Sequence, residues 1–163
     1  MVRQDGGSEV AIRASRPGDA ERAVAITAEV FGPVSLDAMI EQMLGRAGVS
    51  WQEIKADAVR KEFAANPAGC FLAEIGGEAA GYITTAIHVA AKRGLIPNLA
   101  VARGAQGKGV GRKLLLAALD YFRRQGLRQA KIETLACNEV GQHLYPAVGF
   151  REVARQIHYV LSL

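Results

Sequence analysis

The spacing of apolar residues predicts one strand and three helices in the first part of the chain. Val10–Arg13 is a short apolar run of strand character. After it, apolar residues recur three and four positions apart, which is the period of an amphipathic helix. Ser50 is followed three residues later by Glu53, and this capping-box pattern predicts a helix start at residue 51. The predicted helices cover about residues 17–31 and 51–65, with a second helix between them that is opened by Ser35 or Asp37 and ends at about residue 44.

Strand-like patterns dominate from Cys70 onwards. The pair Gly76-Gly77 separates two apolar, β-branched runs and predicts a hairpin. The later predicted elements are a strand at 95–101, a helix at about 109–125, a strand at 130–136, a short helix at about 139–148, and a strand pair or one long bent strand over Phe150–Leu161. Because strands and helices do not alternate strictly, we expect an α/β (α+β layered) fold, a mixed sheet with helices on both faces.

Length and composition are consistent with one domain over residues 1–163, with a disordered lead-in at 1–9. Half of the 163 residues are apolar, enough for a continuous core. The start of the chain has no apolar signal segment, and no run approaches the ~18 apolar residues of a membrane span. The sequence therefore predicts a cytoplasmic protein without a membrane partner.

Net charge and cysteine spacing indicate which classes of ligand the protein is expected to bind. The formal net charge of +4 is mild, and since no run of five or six basic residues occurs, a nucleic-acid partner is disfavoured. A small polyanion such as a nucleotide fits the same charge. Cys70 and Cys137 belong to no zinc-binding pattern, so no metal is expected.

A glycine-rich segment between a predicted strand and a predicted helix is the strongest local motif. Gln106-Gly107-Lys108-Gly109-Val110-Gly111-Arg112 directly precedes or opens the helix. Amides at a helix start lack internal partners and lie at the positive end of the helix dipole, so they bind phosphates. Glycines allow the main chain to approach the anion, and Lys108 and Arg112 add positive charge beside it.

This segment matches neither of two common nucleotide-binding motifs. A Walker loop with glycines at 104 and 109 would need Lys where Val110 stands, and a Rossmann fingerprint starting at Gly107 would need Gly where Arg112 stands. The pattern that remains is Q/R-x-x-G-x-G/A, matched by Gln106, Gly109 and Gly111. It resembles the acyl-CoA pyrophosphate signature of the GNAT N-acetyltransferase family.

A second segment strengthens this resemblance. Asn138, Tyr145, Gly149 and Phe150 match the family's N-x₆-Y-x₃-G-F pattern. Together with the loop, the resemblance covers roughly Cys70 to the end of the chain, whereas Val10–Ala65 resembles the family only in its helical layout. The resemblance implies a mostly antiparallel GNAT-like sheet and transfer of an acetyl group from acetyl-CoA to a primary amine by direct attack.

The family resemblance also implies where the cosubstrate lies. The pantetheine arm is expected along the strand residues Leu99, Ala100 and Val101, whose N–H groups at Leu99 or Val101 would stabilise the oxyanion. The pyrophosphate is expected at the loop, and Asn138 is expected to hydrogen-bond the pantetheine or to stabilise the gap between the strands. The residues assigned to cosubstrate binding are therefore Leu99, Ala100, Val101, Gln106, Gly107, Lys108, Gly109, Val110, Gly111, Arg112 and Asn138.

Two residues are candidates for proton transfer. Tyr145 matches the family's general acid, since a phenol with a pKa of ~10 holds a proton for the departing thiolate; alternatively, it only packs in the core. Glu133 lies five residues before Asn138 and matches the general base of members that resemble ribosomal-protein N-terminal acetyltransferases. Alternatively, Glu133 is a strand glutamate paired with Lys131 or Arg128.

Several alternatives stay open at the sequence level. The acceptor amine is a peptide N-terminus, a lysine or a small amine. A non-catalytic acyl-CoA-binding or sensor domain is the competing function, and nucleic-acid binding is supported only by net charge. Symmetric dimers are common among soluble proteins, so a homodimer is a candidate assembly.

Overall fold

Most helices and strands of the protein lie close to where the apolar pattern predicts them. The computed structural model describes residues 9–163, so the lead-in predicted over 1–9 lies outside the described residues except for Glu9. The elements are β1 (Val10–Ala14), α1 (Asp19–Val30), α2 (Leu36–Leu44), α3 (Trp51–Ala65), β2 (Phe71–Ile75), β3 (Glu78–Ile83), β4 (Ala86–His88), β5 (Arg93–Ile96), β6 (Leu99–Val101), α4 (Val110–Arg124), β7 (Gln129–Ile132) and α5 (Glu139–Val148).

Local capping sets the start of two helices. The Ser35 hydroxyl accepts a hydrogen bond from the Ala38 amide and caps α2. Ser50 and Glu53 form the predicted capping box at the start of α3, each side chain accepting from the other's backbone amide. These contacts satisfy amides that have no partner inside the helix, and they confirm the sequence-based prediction for both helices.

The strands form two sheets. The chain passes from the first sheet into the second between β3 and β4, and it returns to the first between β5 and β6. The first sheet has the order β1-β2-β3-β6 with antiparallel neighbours, and the second has the order β4-β5-β7. In the second sheet β4 and β5 are antiparallel, whereas β5 and β7 are parallel. The strand predicted over 95–101 is therefore divided into β5 and β6 at Pro97-Asn98, because proline has no N–H to continue the ladder.

Helices cover both faces of the first sheet, as predicted. Along β2, Phe71 and Ala73 join the core beneath α4, whereas Leu72 points to the opposite core beneath α1 and α3. This alternation follows from the two-residue period of a strand. The sheet is thus buried on both sides.

Near the end of the chain, one strand is shorter than predicted and another is not formed. The strand predicted over 130–136 ends at Ile132. The strand or strand pair predicted over Phe150–Leu161 is not formed, and residues 151–163 are exposed without secondary structure. The sequence there has strand character, but a strand also requires a neighbouring edge, and none pairs with it within the described chain.

Candidate functional site

A gap opens in the sheet beside β6. β5 pairs with β7 on one side, but among residues 9–163 β6 pairs only with β3. The Asn98 carbonyl accepts a hydrogen bond from the Thr84 amide, and the Ala102 amide donates to the Ala80 carbonyl. The main-chain groups of the even-numbered residues in 98–102 therefore point towards β3. The main-chain groups of Leu99 and Val101 therefore point towards the gap, because successive residues of a strand alternate in direction. An extended ligand could pair with this edge.

The glycine-rich segment follows β6 and leads into α4. Gly107 and Gly109 both have φ of +75°, a conformation that side-chain-bearing residues adopt only with strain. Gly109 precedes the first residue of α4 and provides no side-chain cap. Among the described residues, the amides of Val110, Gly111 and Arg112 donate to no backbone acceptor. They form the start of a 15-residue helix with unused donors.

The surroundings of this segment leave space and positive charge. A Cβ at Gly107 or Gly109 would meet no atom within 4 Å, so the loop faces open space. Lys108 and Arg112 are exposed and form no ion pair with another residue in the range 9–163. The Gln106 side chain donates to the Val101 carbonyl at 3.2 Å and ties the loop to β6. This arrangement can bind an anion.

Gly111 joins three elements of the site. A Cβ at this position would lie 3.1 Å from the Leu144 side chain on α5 and 3.6 Å from the Val101 side chain on β6. The Arg112 guanidinium also donates to the Ala147 carbonyl of α5, at 3.4 Å. A side chain at this position would require the Leu144 side chain to shift by a few tenths of an ångström. The start of α4, the gap side of β6 and the helix that carries Tyr145 are consequently neighbours.

Asn138 caps α5 in the structure. Its Oδ1 accepts from the Gly141 amide at 3.2 Å, and its Nδ2 donates to the Thr134 hydroxyl at 2.8 Å. These contacts stabilise the start of α5 and the turn before it. One N–H of the side-chain amide has no partner among residues 9–163 and is available to a ligand.

Tyr145 is partly buried on α5. Its ring lies edge-on to Phe150, with the centroids 6.2 Å apart. Burial raises the pKa of the Tyr145 phenol above its ordinary value, because the charged form is disfavoured away from water. Within the described part of the chain, its hydroxyl has no hydrogen-bond partner in the protein. The residue has the protonation state and the unused donor that an acid requires.

Glu133 lies one residue beyond β7 and is mostly exposed. Its carboxylate forms an ion pair with Lys131, which is the structural alternative raised by the sequence. The side chain is 73% exposed, so water reaches it freely. The structure therefore gives Glu133 access to solvent but no enclosed environment.

A second carboxylate, Glu62, was missed by the sequence analysis. Glu62 lies on α3, and its two oxygens accept from the Asn98 side-chain amide at 3.0 and 2.7 Å. The Thr84 hydroxyl donates to the same carboxylate at 2.7 Å. Asn98 is 5% exposed, and its own Oδ1 has no partner among the described residues. The only sequence signal was the proline before Asn98, which marks an interruption in the strand.

The Glu62 cluster borders a groove on the α3 side of the sheet. The groove has a volume of about 490 Å³ and is lined by the end of α3 and by Thr85, Ala86 and Ile87. Glu62 forms no ion pair with any residue of the described range. A carboxylate without a cationic partner at the edge of a groove favours a positively charged ligand.

Other features bear less on the chemistry. Burial raises the pKa of the Cys70 thiol to about 11, so Cys70 is not a thiolate at neutral pH. Residues 9–163 contain no cluster of three metal-ligating side chains. No helix among them is long and apolar enough to cross a membrane.

Comparison with known proteins identifies the family pattern. The sequence pattern of the acetyltransferase (GNAT) family matches residues 36–150. A mycothiol acetyltransferase of Streptomyces bingchenggensis is 29% identical over 153 residues, which cover 92% of this chain and 46% of that protein. The chain thus spans less than half the length of this relative.

Solved structures share the fold at low sequence identity. An aminoglycoside N-acetyltransferase in complex with CoA has a TM-score of 0.67 and 19% identity, with 99% of each chain covered. A PaiA N-acetyltransferase of Thermoplasma acidophilum in complex with coenzyme A has a TM-score of 0.70 and 19% identity, covering 88% of this chain and 90% of that one. At this identity the likeness concerns the arrangement of helices and strands.

Proposed function

We propose, because the chain belongs to the acetyltransferase (GNAT) family, that it transfers an acetyl group from acetyl-CoA to a primary amine. The observation that carries this proposal is the close approach of Gly111 to Val101 and Leu144. It brings the unused amides of α4, the free edge of β6 and the helix of Tyr145 to one place. These are the three parts that such a transfer requires.

The residues of the loop fit the pyrophosphate of CoA. The free amides at 110–112 and the open space at Gly107 and Gly109 can accommodate a phosphate group. Lys108 and Arg112 supply positive charge without competition from a neighbouring carboxylate. We assign Gln106 a positioning role, since its side chain already donates to β6.

The edge of β6 fits the pantetheine arm. The N–H groups of Leu99 and Val101 point away from β3 and are available for hydrogen bonds, whereas the Val101 carbonyl already accepts from Gln106. Ala100 lies between them and is buried against the sheet. An N–H group of β6 beside the thioester would stabilise the oxyanion that forms when the amine attacks. Asn138 retains one donor for the same arm.

The proposed reaction forms one bond to the acetyl carbonyl carbon and breaks another. The amine nitrogen forms a bond to the acetyl carbon, and the carbon–sulfur bond then breaks. Tyr145 gives its phenolic proton to the departing sulfur, and its raised pKa means that this proton is present at neutral pH. A carboxylate accepts the proton that the amine loses, directly or through water. The products are an acetamide and free CoA.

Two carboxylates are candidates for that proton. We retain Glu133 as the proposed base, reached through water because it is exposed and paired with Lys131. Glu62 is the rival, since it contacts Asn98 at the interruption between β5 and β6 and borders the groove. A carboxylate in that position would also attract an ammonium group. Substitution of each carboxylate in turn distinguishes the two assignments.

A thiol-release assay tests the proposed function. Purified protein is incubated with acetyl-CoA and a panel of peptide N-termini, lysine peptides, polyamines and aminoglycosides. We expect release of free CoA thiol, above the rate of hydrolysis, with at least one class of amine, and mass spectrometry should detect the acetylated product. Binding of acetyl-CoA without thiol release across the panel would favour a non-catalytic sensor domain instead.

A further inference from the structure

The groove at the end of α3 opens beside the interruption between β5 and β6. Its volume of about 490 Å³ fits a small ligand or a single long side chain. Glu62, which lines the groove, also contacts the side chain of Asn98, and the next residue, Leu99, begins β6. A ligand held at Glu62 is therefore close to the edge of β6, along which the thioester is proposed to lie.

Two polar side chains of the groove already have their hydrogen bonds within the protein. The Asn66 Nδ2 donates to the carbonyl and to the hydroxyl of Thr85, at 3.2 and 2.9 Å, and its Oδ1 accepts from the Tyr121 hydroxyl at 3.0 Å. The Thr85 hydroxyl donates to the Gly69 carbonyl at 2.7 Å. These bonds use both N–H groups of Asn66 and the single O–H of Thr85. Neither side chain therefore has a donor left for a ligand.

Glu62 differs from the other charged residue of the groove. The Lys61 ammonium pairs with the Asp57 carboxylate at 2.6 Å, whereas Glu62 is oriented only by neutral donors, from Asn98 and Thr84. These contacts supply three hydrogen bonds, and a carboxylate can accept about four. The buried Asn98 Oδ1 also has no donor within the range 9–163. The cluster is therefore short of donors and of positive charge, and an alkylammonium group supplies both.

The remaining walls of the groove are apolar and suit a hydrocarbon chain. They are formed by Ala65 at the end of α3 and by Ala86 and Ile87 on β4. A methylene chain placed against them loses water at no cost in hydrogen bonds. The peptide groups that follow an N-terminal amine would instead lose hydrogen bonds to water without gaining partners from these side chains, which is unfavourable.

We infer that the acceptor is a primary amine at the end of an unbranched methylene chain, with its ammonium group held by Glu62 and its chain lying along Ala65, Ala86 and Ile87. Free alkylamines and the side chain of lysine share this chemistry, whereas a peptide N-terminus does not. Glu62 is then the residue that selects the acceptor. This inference rests on the proposed function, and the bonds that form and break are those of the acetyl transfer described above.

The first experiment compares three acceptors by thiol release. They are n-butylamine, a lysine peptide with a blocked N-terminus, and a lysine-free peptide with a free N-terminus. We expect kcat/KM for at least one of the first two to exceed that of the third by at least tenfold, and the better of the two identifies the source of the amine. A preference for the free N-terminus would overturn the inference and leave the proposed function intact. Thiol release with no amine at all would contradict both.

The second experiment removes the charge of Glu62. Glu62→Gln should raise KM for the preferred amine at least tenfold, because the ammonium loses its counter-charge, while kcat and the Kd of acetyl-CoA stay within about twofold. Asp57→Asn is the matched control, since it removes a carboxylate from the same helix at an exposed position, and it should leave KM unchanged. An unchanged KM in Glu62→Gln, or an equal rise in both variants, would overturn the inference.

A third variant tests the groove without altering Glu62. Ala65→Trp places a large side chain in the groove and should raise KM for the amine at least fivefold at unchanged acetyl-CoA affinity. Ala64→Trp is its control, because Ala64 is exposed on the same helix but does not line the groove. Ala65 is itself exposed, so this pair remains informative if Glu62→Gln fails to fold. Equal KM values for the two tryptophan variants would contradict the assignment of the groove.

Discussion

At the scale of single residues, Tyr145 has the properties of an acid. Burial raises its pKa, so the phenol keeps its proton across the neutral range. Its ring packs against Phe150, which fixes its orientation, and its hydroxyl is free of partners among the described residues. Packing by the ring and proton donation by the hydroxyl are therefore compatible roles for this side chain. Removal of the hydroxyl oxygen tests the second role without the first.

The first prediction concerns loss of the Tyr145 hydroxyl. Tyr145→Phe should lower kcat by about 10²–10³, since a positioned general acid contributes on this order, while the Kd of acetyl-CoA changes little. The ring stays in place, so the free energy of unfolding should be nearly unchanged. Thiol-release kinetics and calorimetry measure the two quantities. Unchanged turnover in this variant would remove Tyr145 as the acid.

The second prediction concerns the base. If Glu133 accepts the proton, Glu133→Gln should lower kcat/KM and abolish the fall in rate at acidic pH, because no carboxylate would remain to be protonated. Glu62→Gln should then keep the wild-type pH profile. The reverse result would assign the role to Glu62. Glu78→Gln, at an exposed strand position, is the control and should match the wild type.

Sequence alone could identify some of these residues and not others. Asn138 and Tyr145 were nominated by resemblance to a short family pattern at the start of α5 and along it, and their roles stay predictions. Glu62 acts on Asn98, 36 positions later, and only the tertiary fold brings α3 to the interruption between β5 and β6. The ion pair of Glu133 with Lys131 was foreseen as an alternative, because both residues lie two positions apart in the chain.

At the scale of elements, local signals worked where the stabilising contacts are local. The capping box of α3 uses residues three positions apart, and the glycine loop is contiguous with α4. The division of one predicted strand into β5 and β6 follows from Pro97, which lacks a donor. The strand pair or long bent strand predicted over Phe150–Leu161 is wrong, because propensity specifies an extended backbone but not the edge that it pairs with.

The third prediction tests the start of α4. Gly109→Ala should lower the free energy of unfolding by about 1 kcal/mol, since φ of +75° is strained for alanine. It should also weaken acetyl-CoA binding, because the free amides of the next residues would shift. Gly104→Ala is the control, as its added Cβ would meet no atom within 4 Å. Equal acetyl-CoA affinity in both variants would argue against the loop as the phosphate site.

At the scale of the whole molecule, an ion cluster joins β1, α1 and β2. The Arg13 guanidinium donates to Asp19 at 2.6 Å and to Glu74 at 2.7 Å, and Arg22 donates to Glu74 at 2.9 Å. Burial opposes ionisation of Asp19, but hydrogen bonds from Arg13 and from the Arg16 amide outweigh it and lower its pKa. Hydrogen bonds from Arg13 and Arg22 lower the pKa of Glu74.

The fourth prediction is the pH dependence of stability. Carboxyls with lowered pKa values stabilise the fold above their unfolded pKa values of ~4, and this contribution is lost as pH falls through the folded values. The free energy of unfolding should therefore decline below about pH 4. Asp19→Asn should cost about 2 kcal/mol at pH 7 and flatten the decline. Urea titrations from pH 2 to 7 measure both, and an unchanged slope in the variant would contradict the assignment.

Binding of acetyl-CoA across β6 and the start of α4 underlies the proposed function, and isothermal titration calorimetry with acetyl-CoA tests it most directly. We predict saturable binding at one site per chain. We also predict weaker binding of S-acetylpantetheine, by at least tenfold, because it lacks the pyrophosphate that the loop amides would hold. An absence of saturable heat up to high micromolar acetyl-CoA would contradict both the binding site and the proposed function.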